Sequence, residues 1–288
     1  MHDILKKQND SENINFLRAS ASAYQKAKNG EIKISYFLIF LSIAYPLTYI
    51  FLKDETTKLI LFGCSFGITI LIQIFSGTFK GYTSKGAIFK EEFDISIFGL
   101  PWISTVKKPY YSEVSYFSNQ YRGNIIKDWY SVNLSPTVSV NTAVAVFQHS
   151  NASWDIEIRK TYRKWLISYV VFYSIILLVL LYINNIDGLT IFLLLFSLLS
   201  FYIHFITLIR GHSSAIKKRE SISKRLDEII QNKKYINTDE LRDIQDVIYI
   251  TSQEASKVPN FFLRWFKLKL VTETEDYIKN VNTIYRQT

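Results

Sequence analysis

The chain has 288 residues, of which 48% are hydrophobic, and its 34 basic and 25 acidic side chains give a net charge of +9. Its single cysteine, Cys64, can form no disulfide within the chain and no thiolate metal site. The composition therefore argues against redox and zinc roles.

Four apolar stretches dominate the chain, at residues 34–52, 59–79, 165–183 and 189–209. Each holds about 20 residues, which as a helix rising about 1.5 Å per residue would cross the roughly 30 Å hydrocarbon core of a bilayer. Short connectors join the first stretch to the second and the third to the fourth. The sequence therefore predicts four transmembrane helices arranged as two hairpins.

The basic residues indicate how these helices are oriented. All but Lys53 and Lys58 lie in residues 1–33, 80–164 and 210–288. Because Lys/Arg-rich flanks stay on the cytoplasmic side during insertion, we expect both termini and the central segment in the cytoplasm. The basic residues of these cytoplasmic segments account for the net charge, so no DNA or RNA partner is predicted.

The central insert is predicted to be mainly helical. Residues 83–92 continue the second apolar stretch with helix-forming residues, and residues 141–164 run as a helix into the third. Pro101, Pro109 and Pro136 interrupt the chain between them, since proline removes a backbone donor and restricts the preceding residue. We expect a compact helical cap on two stalks that emerge from the membrane.

The C-terminal tail is predicted to form four helices. Asn237 and Glu240 have the spacing of a capping box at the start of the second helix. The third helix follows Pro259, and its aromatic and basic residues suit either the headgroup level of the membrane or ordinary packing against the insert. Apolar residues at helical spacing mark the other three helices: Ile222, Leu226, Ile229 and Ile230; Leu241, Ile244, Val247 and Ile248; and Tyr277, Ile278, Val281 and Ile284.

We therefore predict an all-α membrane protein with five segments. They are an N-terminal cytoplasmic helix (1–33), a first transmembrane hairpin (34–79), a cytoplasmic insert (80–164), a second transmembrane hairpin (165–209) and a cytoplasmic helical tail (210–288).

No catalytic motif is present: there is no phosphate-binding glycine loop and no metalloprotease helix, and the four histidines are scattered. Glu91, Glu92 and Asp94 offer metal-binding oxygens, but we interpret these carboxylates as a solvated helix face. Asp94 is expected to anchor a turn before Gly99. We predict no enzyme, no metal and no cofactor.

Two of the apolar stretches carry polar stripes at helical spacing, consisting of Ser65, Thr69, Gln73 and Ser76 in the second and Ser197, Ser200, His204 and Thr207 in the fourth. Because a polar side chain in lipid needs protein or water to face, these residues either line a pore or bond across a closed bundle. Four helices enclose too little space for a wide conduit. A pore would therefore require a homo-oligomer.

Three blocks of sequence resemble one family. The first is GAIFKEEFDISIFGLPW at residues 86–102. The second consists of Trp129-Tyr130, residues 144–155, Arg159 and Tyr162, and the third covers residues 241–249 with 258–262. In this order they are similar to the SMODS-associating four-transmembrane effector family. A departure occurs at Phe147-Gln148-His149, where we expect a cysteine and an arginine around the glutamine.

The resemblance implies a pore-forming effector of CBASS-type antiphage defence in the bacterial inner membrane. Such an effector is activated by a cyclic di- or oligonucleotide, oligomerises and permeabilises the membrane in an abortive infection. Two alternatives stay open: a membrane-anchored recruitment module without a pore, and a constitutive small-ion channel.

A cyclic oligonucleotide needs cations for its phosphates and flat side chains for its bases, and the insert offers both. The alternative for the arginines just before the third apolar stretch is a purely topogenic role. The predicted ligand-binding residues are Trp102, Lys107, Lys108, Arg122, Trp129, Trp154, Arg159 and Arg163.

Overall fold

The computed structural model describes residues 2–103, 106–130, 133–254 and 256–286. Their regular structure is α-helical without any strand, which confirms the predicted all-α class. The helices are α1 (His2–Lys7), α2 (Ser11–Phe51), α3 (Glu55–Phe98), α4 (Tyr111–Asn119), α5 (Val140–Ile183), α6 (Gly188–Ser197), α7 (Leu199–Gln231), α8 (Thr238–Glu254) and α9 (Asn260–Arg286).

Side-chain caps fix where the helices of the apolar stretches begin. Asp54 accepts a hydrogen bond from the backbone N–H of Thr57 at 2.8 Å at the start of α3. Asp187 does the same for Thr190 at 2.9 Å at the start of α6. Each carboxylate satisfies a backbone donor that the first helical turn leaves free.

Helices α2 and α3 form an antiparallel pair along their whole length. At one end the Tyr49 hydroxyl donates to the Lys58 carbonyl at 3.2 Å, and at the other the Ser20 hydroxyl donates to the Gly86 carbonyl at 2.8 Å. Between these points α3 approaches Gly30 so closely that a side chain at position 30 would collide with an aromatic ring. The pair is therefore one continuous packed unit.

Helices α5 and α7 form a second antiparallel pair. The Ser174 and Tyr202 hydroxyls are 3.1 Å apart, and Arg159 lies 2.9 Å from His212 about four turns further along. The Tyr173 hydroxyl donates to the α2 backbone, at the Ser42 carbonyl at 2.6 Å, and so joins the two pairs.

Three helices, α2, α3 and α5, are long and apolar enough to cross a membrane. Helices α6 and α7 provide a fourth span only if they are counted together. They are separate helices because the chain bends by 47° at Leu198. The described helices thus supply three or four candidate spans, and the fourth is broken rather than straight.

Lys58 is a buried cation at the end of the molecule where α3 and α6 begin. Its ammonium lies 2.8 Å from Glu55 Oε1 and 2.8 Å from Thr190 Oγ1. It therefore ties α3 to α6 at the apolar end of the molecule.

The polar parts of the four long helices pack with α1, α4, α8 and α9, and we call this assembly the polar half. Its core contains Phe93, Phe147, Leu226, Ile244 and Ile278, which come from five different helices. The predicted continuations of the second and third apolar stretches into it, as α3 and α5, are confirmed.

The tail differs from the prediction after its second helix. The capping box is confirmed, with the Glu240 N–H 2.8 Å from Asn237 Oδ1. The prediction of separate third and fourth tail helices is wrong, because a single helix, α9, runs unbroken from Asn260 to Arg286. No proline or glycine interrupts it, and Thr272 and Thr274 hydrogen-bond back to carbonyls four residues earlier without disturbing the helix.

Candidate ligand cleft and charged clusters

A cleft of about 150 Å³ lies between α3 and the segment that leads into α4. Tyr110, in an extended conformation, is the N-cap of α4 and follows Pro109. The cleft is lined by Lys85, Ile88, Phe89, Lys107, Lys108, Pro109, Tyr110 and Glu113.

Cations and aromatic rings stand together around this cleft. The Lys107 ammonium lies 4.5 Å from the centre of the Tyr110 ring, and the Lys108 ammonium lies 5.5 Å from that of Trp102. Tyr110 is 61% exposed, so its ring is open to a ligand. This is the combination that phosphates and nucleobases require.

Carboxylates neutralise part of this charge. Lys85 pairs with Glu113, and Lys108 lies 3.4 Å from Glu92. Lys107 forms no ion pair within the described part of the chain. The Lys85–Glu113 pair is partly exposed, and ion pairs of this kind contribute little to stability.

The other five predicted ligand residues, Arg122, Trp129, Trp154, Arg159 and Arg163, do not line the cleft. Arg122 follows α4 and donates to nearby backbone carbonyls. Trp129 is half exposed with the Lys90 ammonium 5.3 Å from its ring centre. Trp154 is partly buried and donates to Thr274 Oγ1 at 2.7 Å, which joins α5 to α9. The structure thus brings together Trp102, Lys107 and Lys108 only.

A buried ion pair joins α3 to α8. Arg242 donates to Glu91, which is 2% exposed, and Gln245 Nε2 donates to the other carboxylate oxygen at 2.8 Å. Burial raises the pKa of Glu91 to about 7, although Arg242 acts in the opposite direction. The interpretation of this carboxylate as a solvated face is therefore wrong.

The prediction that Asp94 anchors a turn is wrong, because Asp94 lies buried inside α3. It pairs with Lys90 and accepts a hydrogen bond from the Tyr130 hydroxyl at 2.7 Å. Helix α3 instead ends at Gly99, whose φ of 69° is the left-handed conformation that glycine adopts readily. In the described residues, no three His, Cys, Asp or Glu side chains gather as a metal site.

A second group of charges lies where the polar and apolar halves meet, and we call it the junction cluster. Lys28 and Arg159 each stand six residues outside an apolar stretch, about 9 Å along a helix. Its members are Tyr24, Lys28 and Glu31 of α2, Asp155 and Arg159 of α5, Arg219 of α7, and Lys257 between α8 and α9.

Asp155 holds the two arginines of the junction cluster. The Asp155 carboxylate lies 2.5 Å from Arg159 Nε and 3.1 Å from Arg219 Nε. Burial favours the neutral acid, but the two guanidinium groups outweigh it and hold the pKa of Asp155 below its usual range. Arg159 Nη1 also contacts His212 Nδ1 at 2.9 Å and the Ser256 carbonyl at 2.8 Å.

The two lysines of the junction cluster have neutral partners. The Lys257 ammonium donates to the Ser252 carbonyl at 2.8 Å and lies 4.0 Å from the Tyr24 ring centre. The Lys28 ammonium donates to Asn260 Oδ1 at 2.6 Å. Burial lowers the pKa of Lys28 to about 8 and that of Lys257 well below its usual value.

Arg163 has a weaker connection to this region. One guanidinium nitrogen lies 3.4 Å from the Ser213 hydroxyl, and its buried Nε has no hydrogen-bond partner among the described residues.

Half of each polar stripe joins helices within one copy. The Ser65 hydroxyl lies 3.3 Å from that of Ser197, and Thr69 bonds to Ser200. Tyr49 adds a third hydroxyl, 3.1 Å from Ser197. These groups link α3 to the broken span and leave little of their surface free.

The other half of the stripes is more open. Gln73 and Thr207 are exposed, and the Ser76 hydroxyl donates to the Gln73 carbonyl at 2.8 Å. His204 Nε2, however, lies 2.9 Å from the Ser35 hydroxyl of α2. The eight predicted pore-lining residues therefore do not form one continuous surface in a single copy.

Sequence reasoning missed several charged residues of these sites. Lys85 shares a helix face with Ile88 and Phe89, at spacings of three and four residues, and that periodicity was the available signal. Arg219 and Lys257 carry no local signal, because their partners come from distant segments.

The fold and these sites define an all-α protein with apolar helices of membrane-spanning length and a polar half that bears a cation-lined cleft. Its sequence matches the family described as "SMODS-associating 4TM effector domain" over residues 2–281, and the chain belongs to this family. The predicted resemblance is thereby confirmed.

The chain is also similar to a curated protein. It is 28% identical over 283 residues to a Bacillus cereus (strain VD146) protein described as "Probable CBASS effector molecule", and the alignment covers 92% of each chain. No solved structure matches the chain.

Proposed function

We propose that this protein is a membrane-permeabilising effector of CBASS antiphage defence that a cyclic oligonucleotide activates. Family membership supports the effector role. The observation that carries the ligand assignment is the cleft where Lys85, Lys107 and Lys108 stand beside the exposed Tyr110 ring. The activity is binding and permeabilisation, with no catalytic step and no resident cofactor.

The size of the cleft links ligand binding to assembly. Its volume of about 150 Å³ is below the roughly 300–1,000 Å³ of a site that encloses a drug-sized ligand. It accommodates one phosphate or one base but not a whole cyclic oligonucleotide. We therefore assign the remaining contacts to a second copy, so that the ligand bridges copies and drives homo-oligomerisation.

Helix α3 connects the cleft to the membrane. It runs without a break from Lys85 to Gln73, a distance of about 18 Å at the helical rise. A displacement of α3 at the cleft would therefore move the open part of its polar stripe. In the assembled state we place Gln73 and Thr207 between copies, facing water.

The distribution of basic residues supports the orientation. We place both termini and the polar half in the cytoplasm, with four passes through the bacterial inner membrane. A reporter fused after Gly188 should then behave as periplasmic, and one at the C terminus as cytoplasmic. Opposite activities would overturn the orientation and the access of a cytoplasmic signal to the cleft.

A second candidate function is a membrane-anchored recruitment module that conducts nothing. The hydroxyl pairs Ser65–Ser197 and Thr69–Ser200 favour it, because they close part of both stripes within one copy. Expression with and without a nucleotide-producing synthase separates the two functions. The effector should be harmless alone and lethal with the signal. In a liposome assay of the purified protein, the effector should release dye when the signal is added, whereas a recruitment module should release none with or without it.

Ligand capture is tested with the purified protein and a panel of cyclic di- and trinucleotides. The cognate ligand should raise the unfolding temperature, because any ligand that prefers the native state stabilises it. Lys107→Gln combined with Lys108→Gln should remove most of this rise. The control Lys217→Gln combined with Lys224→Gln removes the same charge from exposed positions on α7 and should keep it. No rise with any nucleotide would contradict the assignment.

A further inference from the structure

The junction cluster holds more positive than negative charge. Four cations, Lys28, Arg159, Arg219 and Lys257, face two carboxylates, Glu31 and Asp155. Asp155 is occupied by the two arginines. Glu31 and Asp155 therefore offset only part of the charge of the two lysines, whose ammonium groups hydrogen-bond to neutral acceptors.

The two lysines are near one another although they come from distant parts of the chain. The Lys28 ammonium lies 2.6 Å from Oδ1 of Asn260, which follows Lys257 by three residues. Lys28 also lowers the pKa of Lys257, and the charge of Arg159 lowers the pKa of both lysines. Neither forms a salt bridge with any residue that the structure describes. The four cations outnumber the two carboxylates, so repulsion between the lysines is only partly offset, and an anion between them would reduce it further.

A buried donor beside these charges also lacks a partner. His212 is fully buried, and its Nδ1 accepts from Arg159, which places its proton on Nε2. Nε2 has no hydrogen-bond partner within the described ranges. Burial and Arg159 lower the pKa of His212 to about 3, so the ring is a neutral donor at physiological pH.

The cluster is reachable from outside and lies at a defined level. Lys28, Lys257 and Asp155 are only partly buried. Lys28 stands about 9 Å from the start of the first apolar stretch, and headgroups extend roughly 5–8 Å beyond the hydrocarbon core on each side. Long lysine side chains cover the difference.

We propose that the junction cluster is a phosphate-binding site, in which Lys28 and Lys257 clamp an anionic phosphate group. This site is separate from the cleft at α4. A bound phosphate would tie α2, which continues into the first span, to the segment between α8 and α9. The phosphate comes either from a headgroup of the surrounding leaflet or from a soluble compound.

The test measures the unfolding temperature of the full-length protein in neutral detergent. One arm adds phosphatidylglycerol or, as a control, phosphatidylcholine, and the other adds inorganic phosphate at constant ionic strength. Phosphatidylglycerol alone raising the midpoint by about 4 °C or more identifies a headgroup site, whereas a rise with inorganic phosphate identifies a soluble ligand. No rise in either arm overturns the proposal.

The variants locate the effect. Lys28→Gln combined with Lys257→Gln keeps hydrogen-bond donors for Asn260 Oδ1 and the Ser252 carbonyl but removes both charges. Apparent affinity should fall roughly fivefold per lysine. Lys224→Gln combined with Lys279→Gln, two exposed lysines elsewhere, should leave it unchanged.

Two further measurements distinguish a loss of the lysine charges from a loss of the folded structure. Lys28→Arg combined with Lys257→Arg should retain the response, and the Gln pair should unfold at or above the ligand-free wild-type temperature because repulsion is relieved. Native mass spectrometry counts retained phosphatidylglycerol in each. A Gln pair that binds anions as tightly as wild type would refute the site.

Discussion

The two ends of α3 are covered very differently by the rest of the chain. In the polar half, Phe89, Phe93 and Ile97 are almost completely buried, whereas Ile70 and Ile74 in the apolar half are exposed. One end of α3 is therefore covered by other helices of the same copy, whereas the other end is open to lipid or to further copies. Stability should reside in the polar half, whereas the apolar half should present the surface that faces lipid or further copies.

Breaking the polar half should have the largest effect. Arg242→Ala would leave Glu91 without its cation in a buried site, and we expect a loss of about 3 kcal/mol in the free energy of unfolding. Arg225→Ala, which removes the exposed partner of Glu240, should cost less than about 1 kcal/mol. Denaturation in detergent, followed by tryptophan fluorescence, measures both. Equal losses would contradict the distinction between buried and exposed pairs.

A smaller effect should appear as a pH dependence. The pKa of Lys28 is about 8 in the folded protein and about 10.5 when unfolded, so the unfolded chain binds more protons between these values. Stability should therefore rise as pH increases from about 8 to 10.5. Since Lys28 is only partly buried, we expect a gain on the order of 1 kcal/mol.

Lys28→Gln should flatten part of that rise, and Lys257 accounts for the remainder because its pKa is lowered in the same direction. Lys279→Gln, an exposed control on α9, should keep the wild-type slope. A wild-type stability that falls over this pH range would show that the two lysines are not destabilised in the native protein.

In the apolar half the joined part of the stripes should contribute modestly. Thr69→Val keeps the shape of the side chain but removes its bond to Ser200, and we expect a loss of about 1 kcal/mol. Thr207→Val makes the same change at an exposed position and should cost nothing measurable. Thermal unfolding of the two variants side by side tests whether the hydroxyl pairs hold the bundle together.

The open part of the stripes should affect function rather than stability. Gln73→Leu is expected to change the free energy of unfolding by less than about 0.5 kcal/mol. Signal-triggered dye leakage from liposomes should nevertheless fall, and Gln73→Leu combined with His204→Leu should abolish it, because the path would lose its polar lining. Unchanged leakage in the double variant, at unchanged crosslinked oligomer mass, would eliminate the stripes as the pore lining.

Local signals were enough to predict much of the fold. Long apolar runs located the candidate spans, and the capping box of Asn237 and Glu240 located the start of α8. The break at Leu198 was not predictable, because leucine is a good helix former and the sequence around it has no proline or glycine.

The candidate sites divide in the same way. Lys107, Lys108 and Tyr110 are neighbours in sequence, so their grouping could be predicted. Glu91 meets Arg242 across 151 residues, and no local pattern carries that pairing. For the same reason Arg159 was open to a topogenic interpretation, whereas the structure places it in a cluster assembled from three other segments.

The buried Lys58 has a consequence for biogenesis. A ribosome delivers the first hairpin well before the second, and Thr190 follows Lys58 by 132 residues. Until the second hairpin is inserted, Glu55 is the only one of the two partners available to this ammonium. A nascent chain that stops before residue 190 therefore lacks one of the two side-chain partners of this buried ammonium, and the contact is completed only when the last apolar stretch has been made.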